Sequence, residues 1–214
     1  MTRVFENETL TIDRAVLGPW ETNCYAVVDR SSGESLVVDA PDDPESIAVL
    51  VQRTKPRYLL LTHNHPDHIM ALAEVLEKLG VPLLTHPYDA TDLPVVVDRF
   101  VEDGEKLPLG KATFTVLHTP GHTPGGLCLS SPGVLLAGDT VFPGGPGKSF
   151  SPASFQEVLA SIRDKILALP DGTVFLPGHG EGGTIAGLRK AYEGFMQRSH
   201  PDDLFGDVTW EDDA

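Results

Sequence analysis

Six of the eight histidines and two aspartates fall in four short loops, and each loop follows a short apolar run. YLLLT leads into His63-Asn64-His65-Pro66-Asp67-His68, and TFTVL into His118-Thr119-Pro120-Gly121-His122. GVLLAG is followed by Asp139-Thr140, and TVFLPG by His179-Gly180. Imidazole nitrogen and carboxylate oxygen are donors that zinc accepts at roughly 2.0–2.2 Å, and a catalytic ion takes about three of them and keeps one position open. The chemistry to expect is therefore metal-assisted hydrolysis.

Spacing sorts the donors. His63 and His65 are two apart, so an extended segment turns both imidazoles to one side. Asp67 and His68 follow where Pro66 opens a helix, and they point elsewhere. His122 then completes one set with His63 and His65, and His179 completes a second with Asp67 and His68. Asp139 has two oxygens and can bridge the sets, so Asp67 and Asp139 are catalytic as well as ligating candidates. The two aspartates offset about half of the roughly four positive charges of two divalent ions, and a bridging hydroxide removes one more. Such a site stays slightly positive and attracts anions. A single loop of this kind would read as ordinary polar turn; four of them, each at a strand end, argue against that.

Other residues carry open readings. Asp39 ends SLVVDA, either to hydrogen-bond a ligand histidine or to start the turn before Pro41. His118 is a substrate or ligand-supporting candidate or a structural strand-end histidine. Lys148 either contacts a substrate carboxylate or is a surface lysine. His86 reads as a loop or capping residue, His200 as solvated tail, and Cys24 and Cys128 as small buried hydrophobes.

The elements that must position these groups alternate. LTIDRAVL has strand periodicity, and NCYAVVD, the turn SSGE and SLVVDA read as a hairpin. DDPESIAVLVQRT takes helical spacing, with Asp43 as N-cap and Pro44 first in the helix. YLLLT and VPLLT are strands around the helix IMALAEVLEKLG, which stops at Gly80. The stretch from His86 to Asp103 is broken by Pro87 and Pro94. ATFTVLHT, GLCLSS, GVLLAG and TVFLPG are further strands. SPASFQEVLASIRDKILAL, capped by Ser151 or Ser154, and GGTIAGLRKAYEGFMQRS are helices. Strands sharing a direction would deliver all four loops to one edge, where α/β folds place their sites.

The 214 residues suit one domain over 1-214, with an acidic, loosely held tail from about 200 to 214. A net charge of -15 argues against nucleic-acid binding. There is no signal-peptide core and no apolar run of membrane-spanning length, so no membrane partner is expected. Two distant cysteines suggest a cytoplasmic location. The partner expected is a small-molecule substrate, and the helical edges offer a surface for a homodimer.

THNHPDH resembles the H-x-H-x-D-H signature of the metallo-β-lactamase superfamily. HTPGHTPG, LLAGDTVF and VFLPGHG match its later motifs in order, from about Thr11 to Arg198. The resemblance implies an αββα sandwich, two mixed sheets with helices on the outer faces and metals at one edge. It implies two Zn²⁺, with Fe or Mn in relatives. Within the superfamily the chain is most similar to glyoxalase II-like hydrolases of S-acyl thioesters. It departs from them after Asp139, where Phe142-Pro143-Gly144-Gly145-Pro146-Gly147-Lys148 replaces Gly-Cys-Gly-Arg, and it lacks their helical C-terminal domain. Both departures argue against glutathione as the thiol. Asp139 at the bridging position argues against antibiotic hydrolysis. The expected function is hydrolysis of a small thioester or ester by a metal-bridging hydroxide. The alternative is a mononuclear-iron persulfide dioxygenase on the same fold, using His63, His65, His122 or Asp139.

Overall fold

The strand periodicity of LTIDRAVL is spent on burial: Leu10 and Ile12 enter one core, and Ala15 enters another. In the computed structural model, which describes residues 1–91 and 93–211, that run is β2 (Leu10–Leu17). The first sheet follows chain order: β1 (Thr2–Glu6), β2, β3 (Thr22–Asp29), β4 (Glu34–Val38), β5 (Lys55–Leu60), β6 (Leu83–Thr85) and β7 (Arg99–Phe100). Its strands are antiparallel up to β4 and parallel from β4 to β7.

The second sheet contains β8 (Lys106–Leu109), β9 (Ala112–His118), β10 (Leu127–Ser131) and β11 (Val134–Gly138). After a small hairpin of β12 (Val141–Phe142) and β13 (Gly145–Pro146), β14 (Val174–Pro177) and β15 (Gly183–Thr184) complete it in the order β15-β14-β11-β10-β9-β8. Strands β9 and β11 both run antiparallel to β10, and β14 runs parallel to β11. The C-terminal ends of β9, β11 and β14 therefore share an edge. Backbone bonds close the sandwich there, from Leu127 N to Thr62 O (2.9 Å) and from Asn23 N to Gly178 O (2.7 Å).

Three apolar layers result. Leu10, Ile12, Val27, Leu60, Phe114 and Leu136 fill the space between the sheets. Helices α1 (Pro44–Val51) and α3 (Leu72–Leu79) cover the first sheet through Ile47, Leu50, Leu72 and Val75. Helices α4 (Pro152–Ser161) and α5 (Ile185–Met196) cover the second through Phe155, Val158, Ile185 and Phe195. This is the αββα sandwich of two mixed sheets that the resemblance implied.

Local signals act as read at several ends. Asp43 accepts from Ser46 N at the start of α1, Ser151 forms a capping box with Ser154, and Gly80 ends α3 in the left-handed region. Elsewhere tertiary bonds override the pattern. IMALAEVLEKLG is not one helix: α2 (Pro66–Ile69) stops before α3, because Ala40 N takes the His68 carbonyl and Ala40 O takes the Ala71 amide. The expected helix after Ser151 passes into a π turn at Ile162–Ile166. The tail is also not loose as far as Glu211. Val208 and Trp210 are buried in the second outer core, while residues 212–214 lie outside the described residues. His200, expected in solvent, is half-buried, stacks on Phe195 (3.9 Å between centroids) and bonds its carbonyl at 2.8 Å.

Candidate metal centre

The four loops meet at the shared edge. Histidines 63, 65 and 122 form one group whose donor atoms lie within 4.8 Å of one another, and Asp67, His68 and His179 form another. Asp139 stands between them, with Oδ2 3.6 Å from His122 Nε2 and 3.5 Å from His179 Nε2. Its Oδ1 lies 3.4 Å from His68 Nε2. Asp67 Oδ2 is 3.0 Å from His179 Nε2 and 3.6 Å from His68 Nε2. The seven predicted residues are thus brought together.

Four of the imidazoles are held from behind. Nδ1 of His68 donates to Asp39 Oδ2 at 2.8 Å, Nδ1 of His122 to the Lys148 carbonyl at 2.8 Å, and Nδ1 of His179 to the Trp20 carbonyl at 3.0 Å. Thr62 Oγ1 donates to Asp39 Oδ2 at 2.8 Å, which leaves its lone pair for Nδ1–H of His63 at 3.0 Å. Each Nδ1 proton is thereby fixed outward, and each Nε2 faces the centre. Nε2 of His63 and Nε2 of His122 are buried without a hydrogen-bond partner. Buried, unpaired lone pairs aimed at one point are costly unless a cation takes them, so the donor set fits divalent metal.

Protonation follows the same geometry. Burial holds the His63 imidazole well below its ordinary pKa, and the neighbouring His68 adds to this. Burial opposes ionisation of Asp139, but His179 and His68 outweigh it and hold the carboxyl well below the usual range. Burial lowers His68 too, yet Asp39 and Asp139 raise it to about 10; His179 is raised to about 9 against burial by Asp139 and Asp67. Those protons are what a cation would displace.

Close packing sets the loop after β14. A Cβ on Gly178 would lie 2.0 Å from Asp139 Oδ1, so no side chain fits there. Gly138, which presents Asp139, is left-handed at φ 48°. Tyr25 OH bonds Pro177 O at 2.6 Å, and Asn23 Nδ2 bonds both Pro177 O and Gly180 O at 2.9 Å, tying this loop to the first sheet.

Of the remaining candidates, Asp39 sits directly behind His68 and Thr62. It is placed there because β4 runs parallel to β5, so both strands end at the same edge. His118 stays outside the cluster: it stacks on His86 at 3.9 Å and its Nε2 bonds Pro124 O. His86 caps the turn Pro87–Asp89 by accepting from Tyr88 N. Lys148 borders the site, and its side chain pairs with Asp207 at 3.3 Å. Cys24 and Cys128 are both fully buried. Sequence reasoning missed Thr62, the Trp20 carbonyl and the chain's last segment. A cleft of about 740 Å³ opens over the centre, walled by Trp20, Phe142, Phe150, Lys148, Asp207 and Val208.

Residues 17–179 match the metallo-beta-lactamase superfamily. The chain belongs to that superfamily. A relative from Mycobacterium leprae (strain TN) described as an uncharacterized protein is 32% identical over 209 residues, covering 84% of this chain and 95% of that one. Another, from Aquifex aeolicus (strain VF5), is 32% identical over 198 residues, covering 84% and 93%. Among solved structures, the chain is similar to BLEG-1, a B3 metallo-beta-lactamase (29% identity, TM-score 0.74, covering 84% and 96%). It is also similar to TTHA1623 in a di-iron-bound form (31%, TM-score 0.72, covering 83% and 97%). ETHE1 from Myxococcus xanthus shares the fold at 21% identity and TM-score 0.76, covering 88% and 85%.

Proposed function

We propose that the chain is a metal-dependent hydrolase of small thioesters or esters, similar in chemistry to the glyoxalase II-like branch. The observation that carries this reading is the Asp139 carboxylate standing between two complete donor groups. His63, His65 and His122 would hold one ion, and Asp67, His68 and His179 a second, with Asp139 shared. When bound, such a pair supplies an acidified water and an electrophile for the carbonyl oxygen. The protein's part is to fix the imidazole tautomers through Asp39, Thr62 and two carbonyls. Its aromatic cleft walls seat the acyl or thiol group and exclude bulk water.

Zinc is the expected metal, and the di-iron-bound TTHA1623 makes iron the competitor. A second reading is oxygen-dependent persulfide chemistry on one iron, with Asp67, His68 and His179 kept beside it; metal content and oxygen uptake separate the two. A β-lactam is the counter-substrate suggested by the resemblance to BLEG-1. The deciding experiment is elemental analysis of protein purified without added metal or chelator, followed by thioester, ester and β-lactam turnover. About two zinc ions per chain with thioester turnover support the proposal. About one iron per chain with oxygen uptake on persulfide overturns it. Asp139→Ala is expected to abolish turnover and lower metal content while the far-ultraviolet spectrum stays unchanged. Full metal content with retained turnover removes the bridging role.

A further inference from the structure

Strand β6 runs parallel to β5, with Leu59 opposite Leu83 and Leu60 opposite Leu84, so the turn after β6 emerges at the edge where His63 stands. That turn, Pro87–Asp89, ends on a carboxyl group that is fully buried and belongs to neither donor group. Asp89 Oδ2 accepts from Thr123 Oγ1 at 2.6 Å, and its Oδ1 accepts from Gly125 N at 2.7 Å. Both donors lie on the loop that carries His122. The fit is close: a Cβ on Gly125 would lie 2.6 Å from Asp89 Cγ, so no side chain fits there.

The grip reaches His122 through one residue. Gly121 N donates to Thr123 O at 3.1 Å, which closes a tight turn with His122 between them. The backbone of Thr123 thus shapes the turn while Asp89 holds its hydroxyl. The Pro87–Asp89 turn meets the loop a second time. His86, its cap, stacks on His118 at 3.9 Å, and Nε2 of His118 donates to Pro124 O at 2.8 Å. A carboxylate buried in a core is expensive, and apolar packing serves stability as well or better. What the carboxylate supplies is direction, because bonds to a charged acceptor are shorter and stronger than neutral ones.

We propose that Asp89 is a positioning residue for the first donor group. Through Thr123 and Gly125 it fixes the turn that presents His122, and so it sets the affinity of His63, His65 and His122 for their ion. The group of Asp67, His68 and His179 does not depend on it. The inference rests on the two-metal reading of the site and not on thioester turnover.

The test titrates the metal-stripped full chain with Co²⁺ and follows its visible absorption. His122→Ala and His179→Ala mark which part of the binding curve belongs to which group. Asp89→Asn should weaken the part lost in His122→Ala about 10–100-fold, the span for groups that orient a ligand, and leave the part lost in His179→Ala unmoved. Thr123→Val removes the hydroxyl and should act in the same direction, whereas Thr123→Ser keeps it and should bind as the native chain does. This second pair carries the test if Asp89→Asn fails to fold, and a thermal melt of the stripped protein reports folding separately. A lower melting temperature with native Co²⁺ binding, or a weakening shared equally by both groups, overturns the proposal. A single ion, lost in His122→Ala and weakened in Asp89→Asn, removes the two-metal reading and keeps the positioning role. If both groups bind as described and no thioester or ester turns over, the hydrolase reading fails alone. A chain that takes no Co²⁺ at all overturns both.

Discussion

Thr62 shows how much one side chain can carry. It is 2% exposed, it donates to Asp39, and it accepts from His63, so the orientation of a donor in the first group depends on a hydroxyl that ligates nothing. Thr62→Val keeps the shape and removes the bonds. Nδ1–H of His63 then loses its partner in a buried place, which costs about 1–3 kcal/mol. Losing such an orienting group typically lowers metal affinity about 10–100-fold. Competition against a chromophoric chelator measures the second effect, and a thermal melt the first. Unchanged affinity would mean that packing alone holds the ring. At this scale the seven clustered donors were legible, since each sits beside a strand end in a chain with few histidines. Thr62 was not, because its role is created by the parallel pairing of β4 with β5, which brings Asp39 to the same level. Trp20 and Lys148 turn histidines through backbone carbonyls, and a carbonyl has no signature in the residue type.

Among the elements, the capped helices and apolar strands were readable because their signals are local: Asp43, Ser151 and Gly80 act within one turn. Short edge strands such as β7 and β15 were not, since two residues carry no periodicity. The final segment is the largest departure. Its acidic composition suggested a loose tail, yet Trp210 is 4% exposed and meets the rings of Phe195 and Tyr192 at 5.7 and 6.0 Å. Burial of one large ring outweighs the charges around it. Trp210→Ala is expected to cost about 3–5 kcal/mol, as for other buried Trp truncations. It should also free the hairpin of β12 and β13, which Trp210 bonds at Gly144 and Phe142. Urea denaturation measures the loss, and elemental analysis should find metal content unchanged. A loss well under 1 kcal/mol would show that the segment merely rests on the surface.

Across the whole molecule, the sandwich is closed at both edges by different means. The site edge uses strand-to-loop backbone bonds beside the donors, from Leu127 to Thr62 and from Asn23 to Gly178. The opposite edge uses Asp29, at the far end of β3, which is fully buried and accepts from the amides and hydroxyls of Ser31 and Ser32. Its Oδ2 accepts from Lys111 N at 3.0 Å, in the turn between β8 and β9, so this carboxylate joins the two sheets. Burial would raise its pKa, but the bonds from Ser31, Ser32 and Lys111 together outweigh burial and hold it below the ordinary range. In the unfolded chain the group titrates near its ordinary value of about 3.9. A carboxyl depressed on folding stabilises the fold fully above that unfolded value, and the contribution fades as pH falls towards the lower folded value. Asp29→Asn removes the charge while keeping the shape, and it leaves donors facing an amide. It should therefore be less stable than the native chain at pH 7 by about 1–3 kcal/mol. The gap should narrow only below about pH 4. Both proteins must be compared with metal stripped, so that acid release of the cation does not enter the difference. A gap that closes instead between pH 5 and 7 would assign the acid sensitivity to histidines at the other edge, and one that stays constant down to pH 2 would leave Asp29 with a purely steric role.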